Sequence, residues 1–104
     1  MSESSLQTHV LHKLNEIPFS EWEKATVTNR AGSQDIKGHI RGYYIAIEMK
    51  RGKNEIPTKL QMYRIAQTNK KGGLSFWAYN WEDIKNRLLD FAASKAFGLY
   101  NHDF

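Results

Sequence analysis

The feature that most constrains the fold is the apolar run at residues 42–50, which reads Gly-Tyr-Tyr-Ile-Ala-Ile-Glu-Met-Lys. β-Branched and aromatic residues dominate this run and a glycine opens it, so the pattern predicts a β-strand. Because side chains alternate between the two faces of a strand, Glu48 and Lys50 should share one face. A strand this apolar is typical of the centre of a sheet that is covered on both faces.

Charged side chains in such a strand need compensation, because an unpaired carboxylate or ammonium would lose several kcal/mol of hydration there. Asp35 precedes the strand across a hairpin-sized segment that contains Gly38 and Gly42. This spacing would bring Asp35, Glu48 and Lys50 together at one end of a sheet. Two carboxylates are the hard oxygen ligands that Mg²⁺ or Mn²⁺ prefers, and a lysine beside them can hold or polarise a water molecule that attacks a phosphate.

These residues carry a resemblance to a known superfamily. Asp35, a spacer with a turn, and then Glu48-Met49-Lys50 in an apolar strand resemble the PD-(D/E)XK nuclease motif. Gln34 stands where the name of the superfamily places proline. Proline there shapes the turn and has no catalytic atom, so this departure leaves the expected chemistry unchanged.

The resemblance is narrower than the superfamily. The chain is similar to the VRR-NUC branch, which also resembles the Holliday junction resolvases, and the similarity extends over about residues 3–88. The segments that carry it are residues 32–38, residues 42–50, Gln61 and the glycine pair at 72–73.

The resemblance implies an α/β fold with a restriction-endonuclease-like core, in the order α-β-β-β-α-β-α, around a mixed four-stranded sheet. Local patterns predict helices at residues 2–16 and 58–69 and after Asn80, and strands at 22–29, 42–50 and 74–79. The last strand follows the central one through a helix, so the two should be parallel. With 104 residues, the chain is predicted to form a single domain, residues 1–104.

The resemblance also implies a catalytic site that binds Mg²⁺, with Mn²⁺ as a substitute. Asp35, Glu48 and the backbone carbonyl of Met49 would be the ligands, and Lys50 would act on the attacking water. Hydrolysis of a phosphodiester to a 5′-phosphate and a 3′-hydroxyl is the implied reaction.

Two further residues have both a functional and a structural interpretation. Glu3 matches the pattern Glu-x-x-apolar-Gln that this group carries on its first helix, which implies a third acidic ligand; alternatively, it is a first-turn carboxylate stabilised by the helix dipole. Gln61 occupies the place of a family glutamine that lies beside the acidic residues and supports catalysis. It also fits a capping box with Thr58, and the two interpretations of Gln61 are compatible.

The net charge of +4 and the isoelectric point near 9.4 suit a polyanionic partner. Residues 37–42 are predicted to form a basic loop that clamps the DNA backbone beside Asp35, with an ordinary polar turn as the alternative. Arg30 is expected near the site, or else as a surface residue of a hairpin. The predicted DNA-binding residues are Arg30, Lys37, His39, Arg41, Arg51, Lys53 and Lys59.

The chain contains no cysteine, which excludes a disulfide-stapled scaffold and a thiolate zinc site. No segment approaches the ~20 apolar residues of a membrane span. We therefore expect an intracellular, cytoplasmic protein that does not contact a membrane. The aromatic residues of 91–104 should pack on the core or on a second copy, and a homodimer is favoured because enzymes that cut four-way junctions need two active sites.

The function expected from residues and resemblance together is a Mg²⁺-dependent endonuclease that cuts Holliday junctions or other branched DNA. One alternative is a repair or restriction-type nuclease that acts on linear or flapped DNA. Another is a non-catalytic nucleic-acid-binding module with the same fold, and a third is a protein-interaction domain whose basic charge is incidental.

Overall fold

A computed structural model describes residues 3–25, 35–52 and 54–104. The elements are helix α1 (Glu3–Leu14), strands β1 (Ser20–Lys24), β2 (Ile36–Ile40) and β3 (Tyr43–Met49), helix α2 (Lys59–Lys70), strand β4 (Leu74–Ala78), helix α3 (Trp81–Lys95) and a 3₁₀ turn (Asn101–Asp103). This order confirms the predicted α-β-β-β-α-β-α fold. None of the helices within these ranges is long and apolar enough to cross a membrane.

The four strands form one sheet in the order β1-β2-β3-β4. β2 pairs antiparallel with both β1 and β3, whereas β3 and β4 are parallel, as predicted from the helix that connects them. Residues 45–49 of β3 are each at most 3% exposed. The apolar run is therefore the central strand, covered on both faces.

The two faces of the sheet are covered by different helices. The main hydrophobic core lies on one face, where α1 contacts β1 and α3 contacts β4. Its largest fully buried side chains include those of Val10, Leu14, Ile36, Ile40, Ile45, Ile47, Met49, Ile84 and Leu88. On the other face α2 contacts β3 and β4.

The prediction of a loop at residues 37–42 was wrong, because the chain stays in β2 through Ile40. Ile40 pairs with Tyr43, so only Arg41 and Gly42 form the turn. Both have positive φ, 49° and 87°, which is the combination that lets a two-residue hairpin turn follow the twist of its strands. The polar residues of this segment alternate with buried isoleucines, which is a strand pattern and not a loop pattern.

The first strand also differs from its predicted bounds of 22–29. β1 begins earlier, at Ser20, and ends at Lys24, while residues 26–34 lie outside the described residues. Beyond the pair of Lys24 with Ile36, the Ala25 amide donates to the Asp35 carbonyl at 2.7 Å. The β1–β2 ladder therefore continues as far as Asp35.

Phe91, Phe97 and Phe104 pack on the core of their own chain, whereas Tyr100 is 61% exposed. The ring of Phe97 stacks on Tyr43 at 5.5 Å between centroids, and Phe104 lies 5.7 Å from Trp81. Leu99 is 8% exposed. These contacts agree with packing on the core, and the homodimer stays a prediction.

One position on the outer edge of β4 is covered by a side chain of α2. Asn69 Oδ1 accepts a hydrogen bond from the Ser75 amide at 2.7 Å, and Asn69 Nδ2 donates to the Ser75 carbonyl at 3.0 Å. The side-chain amide thus takes both hydrogen bonds that a neighbouring strand would make with this residue.

We expect Asn69→Ala to lower the free energy of unfolding by about 1–3 kcal/mol, because two backbone groups lose a protein partner at once. Lys70→Ala removes the adjacent exposed side chain and should change stability by no more than about 0.5 kcal/mol. Urea unfolding followed by circular dichroism measures both. If the two variants unfolded at the same urea concentration, the hydrogen bonds of the Asn69 side chain to Ser75 would make no net contribution to the free energy of unfolding.

Candidate active site

The register of the sheet places the predicted catalytic residues on one face. Ile36 of β2 pairs with Ile47 of β3, so one step further along the ladder Asp35 lies opposite Glu48. Residues paired in this way project to the same face. Lys50 follows Glu48 by two residues and shares that face, which is the one that α2 covers.

Asp35 is held at this position by the backbone of β3. Its Oδ2 accepts a hydrogen bond from the Met49 amide at 2.8 Å, and the Asp35 side chain is half-buried. The bond keeps the carboxylate at the carboxyl end of β3, one residue from Glu48. Met49 itself is fully buried, so its backbone is fixed by the core on the other face.

Glu48 is the deeper of the two acids, with 3% of its surface exposed. Within the described ranges, Glu48 and Ser75 are the buried residues with polar side chains. Removing a carboxylate from water is expensive, and proteins retain such groups mainly where the charge has a use. Among the described residues, Glu48 is therefore the strongest single indication of a functional site.

Lys50 is tied to the start of α2 through Gln61. Lys50 Nζ donates to Gln61 Oε1 at 3.1 Å, and the same oxygen accepts the Thr58 amide at 2.8 Å. The backbone amide of Gln61 in turn donates to Thr58 Oγ1 at 3.1 Å. The predicted capping box is confirmed, and Gln61 also lies beside the acidic end of β3, as its functional interpretation requires.

The donor set at this end of the sheet fits a small, hard cation. Within residues 3–25, 35–52 and 54–104, no three His, Cys, Asp or Glu side chains converge, and the register brings two carboxylates, Asp35 and Glu48, to this end of the sheet. The side chain of Glu3, the predicted third ligand, lies outside the described residues. Mg²⁺ binds through one or two carboxylates and retains several waters, whereas structural or catalytic Zn²⁺ takes three or four protein ligands.

Two solved structures share this architecture. A VRR_NUC domain protein matches with a TM-score of 0.70 at 19% sequence identity, over 89% of this chain and 89% of that one. A second structure, a VRR_NUC domain, matches with a TM-score of 0.69 at 19% identity, over 85% of this chain and 94% of that one. The chain has the VRR_NUC fold. No protein-family model matches the sequence, and no curated protein matches it either.

Three of the predicted DNA-binding residues lie close to the acidic pair in this VRR_NUC fold. Lys37 follows Asp35 by two residues and shares its face of the sheet. Arg51 follows Lys50 directly and pairs with Glu55 at 3.2 Å. Lys59 is exposed in the first turn of α2, the turn that contains Gln61.

The VRR_NUC fold separates two other predicted DNA-binding residues from the acids. Arg41 lies in the hairpin turn at the opposite end of β2, with its guanidinium 4.6 Å from the ring of Phe19. Since a strand advances about 3.3 Å per residue, Arg41 lies roughly 20 Å along the sheet from Asp35. His39, closer to that end than to the acids, contacts Glu21 at 3.2 Å.

His39 and Arg41 were predicted to lie near Asp35 because residues 37–42 were expected to form a loop. The extended strand β2 instead carries both residues away from Asp35. Their role in DNA binding stays a prediction. Arg30 and Lys53 lie outside the described residues.

Two residues that are not among the predicted site residues lie beside this site in the VRR_NUC fold. Trp77 of β4 is paired in register with Glu48 and is 39% exposed on the same face. Arg64 follows Gln61 by one helical turn on the side of α2 that faces the sheet. The i, i+3 spacing from Gln61 was the available signal for Arg64, whereas Trp77 could be found only from the register.

Proposed function

We propose that this protein is a divalent-metal-dependent endonuclease that hydrolyses phosphodiester bonds in DNA. The observation that carries the proposal is that Asp35, directly before β2, lies opposite Glu48 of β3, with Lys50 on the same face. Hydrogen bonds to Met49 and Gln61 hold Asp35 and Lys50 in place. The VRR_NUC fold supports the same assignment.

Asp35, Glu48 and the carbonyl of Met49 would hold Mg²⁺, or Mn²⁺ as a substitute. When bound, the cation lowers the pKa of water and offsets the negative charge that develops on the phosphate. The two carboxylates would position it, because Glu48 lies in β3 and Asp35 is hydrogen-bonded to the backbone of that strand.

Lys50 supplies a positive charge and three N–H donors beside the carboxylates. Gln61 Oε1 takes one of these donors and directs the ammonium, and its own position is fixed by the Thr58 cap. The remaining donors can hold the attacking water or a phosphate oxygen. Attack by the water oxygen on phosphorus breaks the bond to the 3′-oxygen and leaves a 5′-phosphate and a 3′-hydroxyl.

Branched DNA, in particular a four-way junction, is the substrate that we propose. Its support is the resemblance of the motif set to the Holliday junction resolvases. Cutting two opposed strands of a junction requires two active sites, so two copies of this chain would act together.

The test is cleavage of a labelled four-way junction, a flap and a linear duplex by the purified protein. We expect cleavage with Mg²⁺ or Mn²⁺, fastest on the junction, and none in EDTA, because the carboxylates alone supply no positive charge to the phosphate. Light scattering of the free and DNA-bound protein reports the number of copies. Cleavage of only the flap or the duplex would reassign the substrate, and binding to DNA without cleavage in either metal would make the protein a binding module.

A further inference from the structure

Arg64 lies next to the proposed catalytic residues but makes none of their contacts. It follows Gln61 by three residues on α2, so the two side chains project from the same side of the helix about one turn apart. Gln61 contacts Lys50, which places Arg64 beside the same end of the site.

The Nε of Arg64 is shielded from solvent and has no hydrogen-bond acceptor among the described residues. None of the ion pairs within those residues includes Arg64, whereas Arg51 pairs with Glu55 and Lys85 with Glu82. Its guanidinium carbon lies 5.8 Å from the centre of the Tyr63 ring, a long distance for a cation–π contact.

A shielded N–H donor without an acceptor is unfavourable in the free protein. The same donor becomes favourable when a ligand supplies an oxygen, because no internal bond has to be broken first. The unmatched Nε of Arg64 therefore points to an acceptor that binds from outside the chain.

We propose that Arg64 binds a non-bridging oxygen of a phosphate next to the scissile phosphate, on the strand that is cut. This inference rests on the proposed nuclease function. A guanidinium is always charged and presents its donors as a planar fork that matches phosphate oxygens. The three residues from Gln61 to Arg64 advance about 4.5 Å along α2, so a strand with its scissile phosphate at Lys50 presents a neighbouring phosphate to Arg64.

The test compares Arg64→Gln with Arg87→Gln, which removes the same charge from α3, where the guanidinium lies over Phe76 at 5.1 Å. Affinity for a four-way junction is measured in EDTA by fluorescence anisotropy over a range of salt concentrations. We expect Arg64→Gln to weaken binding roughly tenfold to a hundredfold and to reduce the slope of log affinity against log salt by about one, the effect of one lost phosphate contact. Arg87→Gln should change neither quantity.

Two further measurements separate phosphate binding from a structural role. Arg64→Lys keeps the charge, so it should keep the salt slope. It should lose part of the affinity for DNA, because lysine lacks the Nε donor of arginine. The Tm of Arg64→Gln without DNA should match that of Arg87→Gln, because Nε has no internal acceptor to lose. A lower Tm with an unchanged salt slope would show that Arg64 is structural and overturn the inference.

The outcomes also separate this inference from the proposed function. Suppose that the wild-type protein cleaves DNA and that Arg64→Gln has the wild-type KM and the wild-type slope of log affinity against log salt. The inference is then wrong and the nuclease assignment stands. If the wild-type protein binds DNA without cleaving it, the nuclease assignment fails, and a slope reduced by about one in Arg64→Gln still supports the phosphate contact. A wild-type protein with no affinity for DNA overturns both.

Discussion

Glu48→Gln should lower the rate of DNA cleavage by about 100-fold to 1,000-fold and leave DNA affinity nearly unchanged, since a preorganised electrostatic group at a reacting phosphate contributes about that much. Glutamine has nearly the volume of glutamate, so the packing of a residue with 3% exposure is preserved and only the charge is lost. Without that charge, Asp35 alone is left to hold the cation.

Asp35→Asn should have an effect of the same size. An asparagine side-chain oxygen can still accept the Met49 amide, which Asp35 Oδ2 accepts at 2.8 Å, so the end of the β2–β3 ladder is retained. The variant therefore separates the structural bond of this side chain from its charge.

Single-turnover cleavage of a four-way junction in Mg²⁺ measures both variants, and anisotropy in EDTA measures their binding. Glu23→Gln is the matched control, because Glu23 is an exposed carboxylate of β1 on the same face of the sheet, paired in register with Lys37. It should retain activity within about twofold, as expected for an exposed group outside the reacting centre. Near-wild-type cleavage by Glu48→Gln or Asp35→Asn would remove that residue from the mechanism.

Gly38→Ala should be among the most damaging small substitutions in the sheet, with a loss of about 3 kcal/mol or more in the free energy of unfolding. A Cβ at this position would lie 2.1 Å from the backbone oxygen of Glu21 and 2.6 Å from the ring of Trp22. Trp22 is paired with Gly38 in register, and its indole N–H donates to Ser20 Oγ at 2.9 Å. Neither the backbone nor the ring can move away without loosening the β1–β2 pairing.

Gly52→Ala is the matched control, because a Cβ there would meet no atom within 4 Å and the φ of Gly52 is not positive. This change should stay within about 0.5 kcal/mol of wild type. Chemical unfolding monitored by tryptophan fluorescence and far-ultraviolet circular dichroism distinguishes the two variants. If Gly38→Ala unfolded at the wild-type midpoint, β1 would have to shift without cost, contrary to the packing of Trp22.

The local patterns predicted well those features that depend on neighbours in the chain. The alternation in residues 42–50 identified the central strand and put Glu48 and Lys50 on one face. The capping box of Thr58 on α2 was also predicted, as was the start of α3 after Asn80, whose Oδ1 accepts the Asp83 backbone amide at 2.9 Å. In each case the deciding contact spans only a few residues.

Features that depend on distant residues were predicted poorly. The glycine and polar side chains of residues 37–42 favoured a loop, yet Gly38 lies in a strand because Trp22, far away in the sequence, covers it. The same error put Arg41 beside Asp35, whereas the extended strand carries it to the opposite end of the sheet.

The sequence by itself determined the central strand, the helices α2 and α3, and the placement of Glu48 and Lys50 on one face of that strand, because these follow from periodicity, capping and residue chemistry over short spans. Only the tertiary structure decided that Asp35 lies opposite Glu48, that Lys50 reaches Gln61, and that Arg64 Nε is shielded without an acceptor among the described residues. Cross-strand register and helix–sheet packing join residues that no local pattern connects, so the geometry of the site emerges only when the chain is folded.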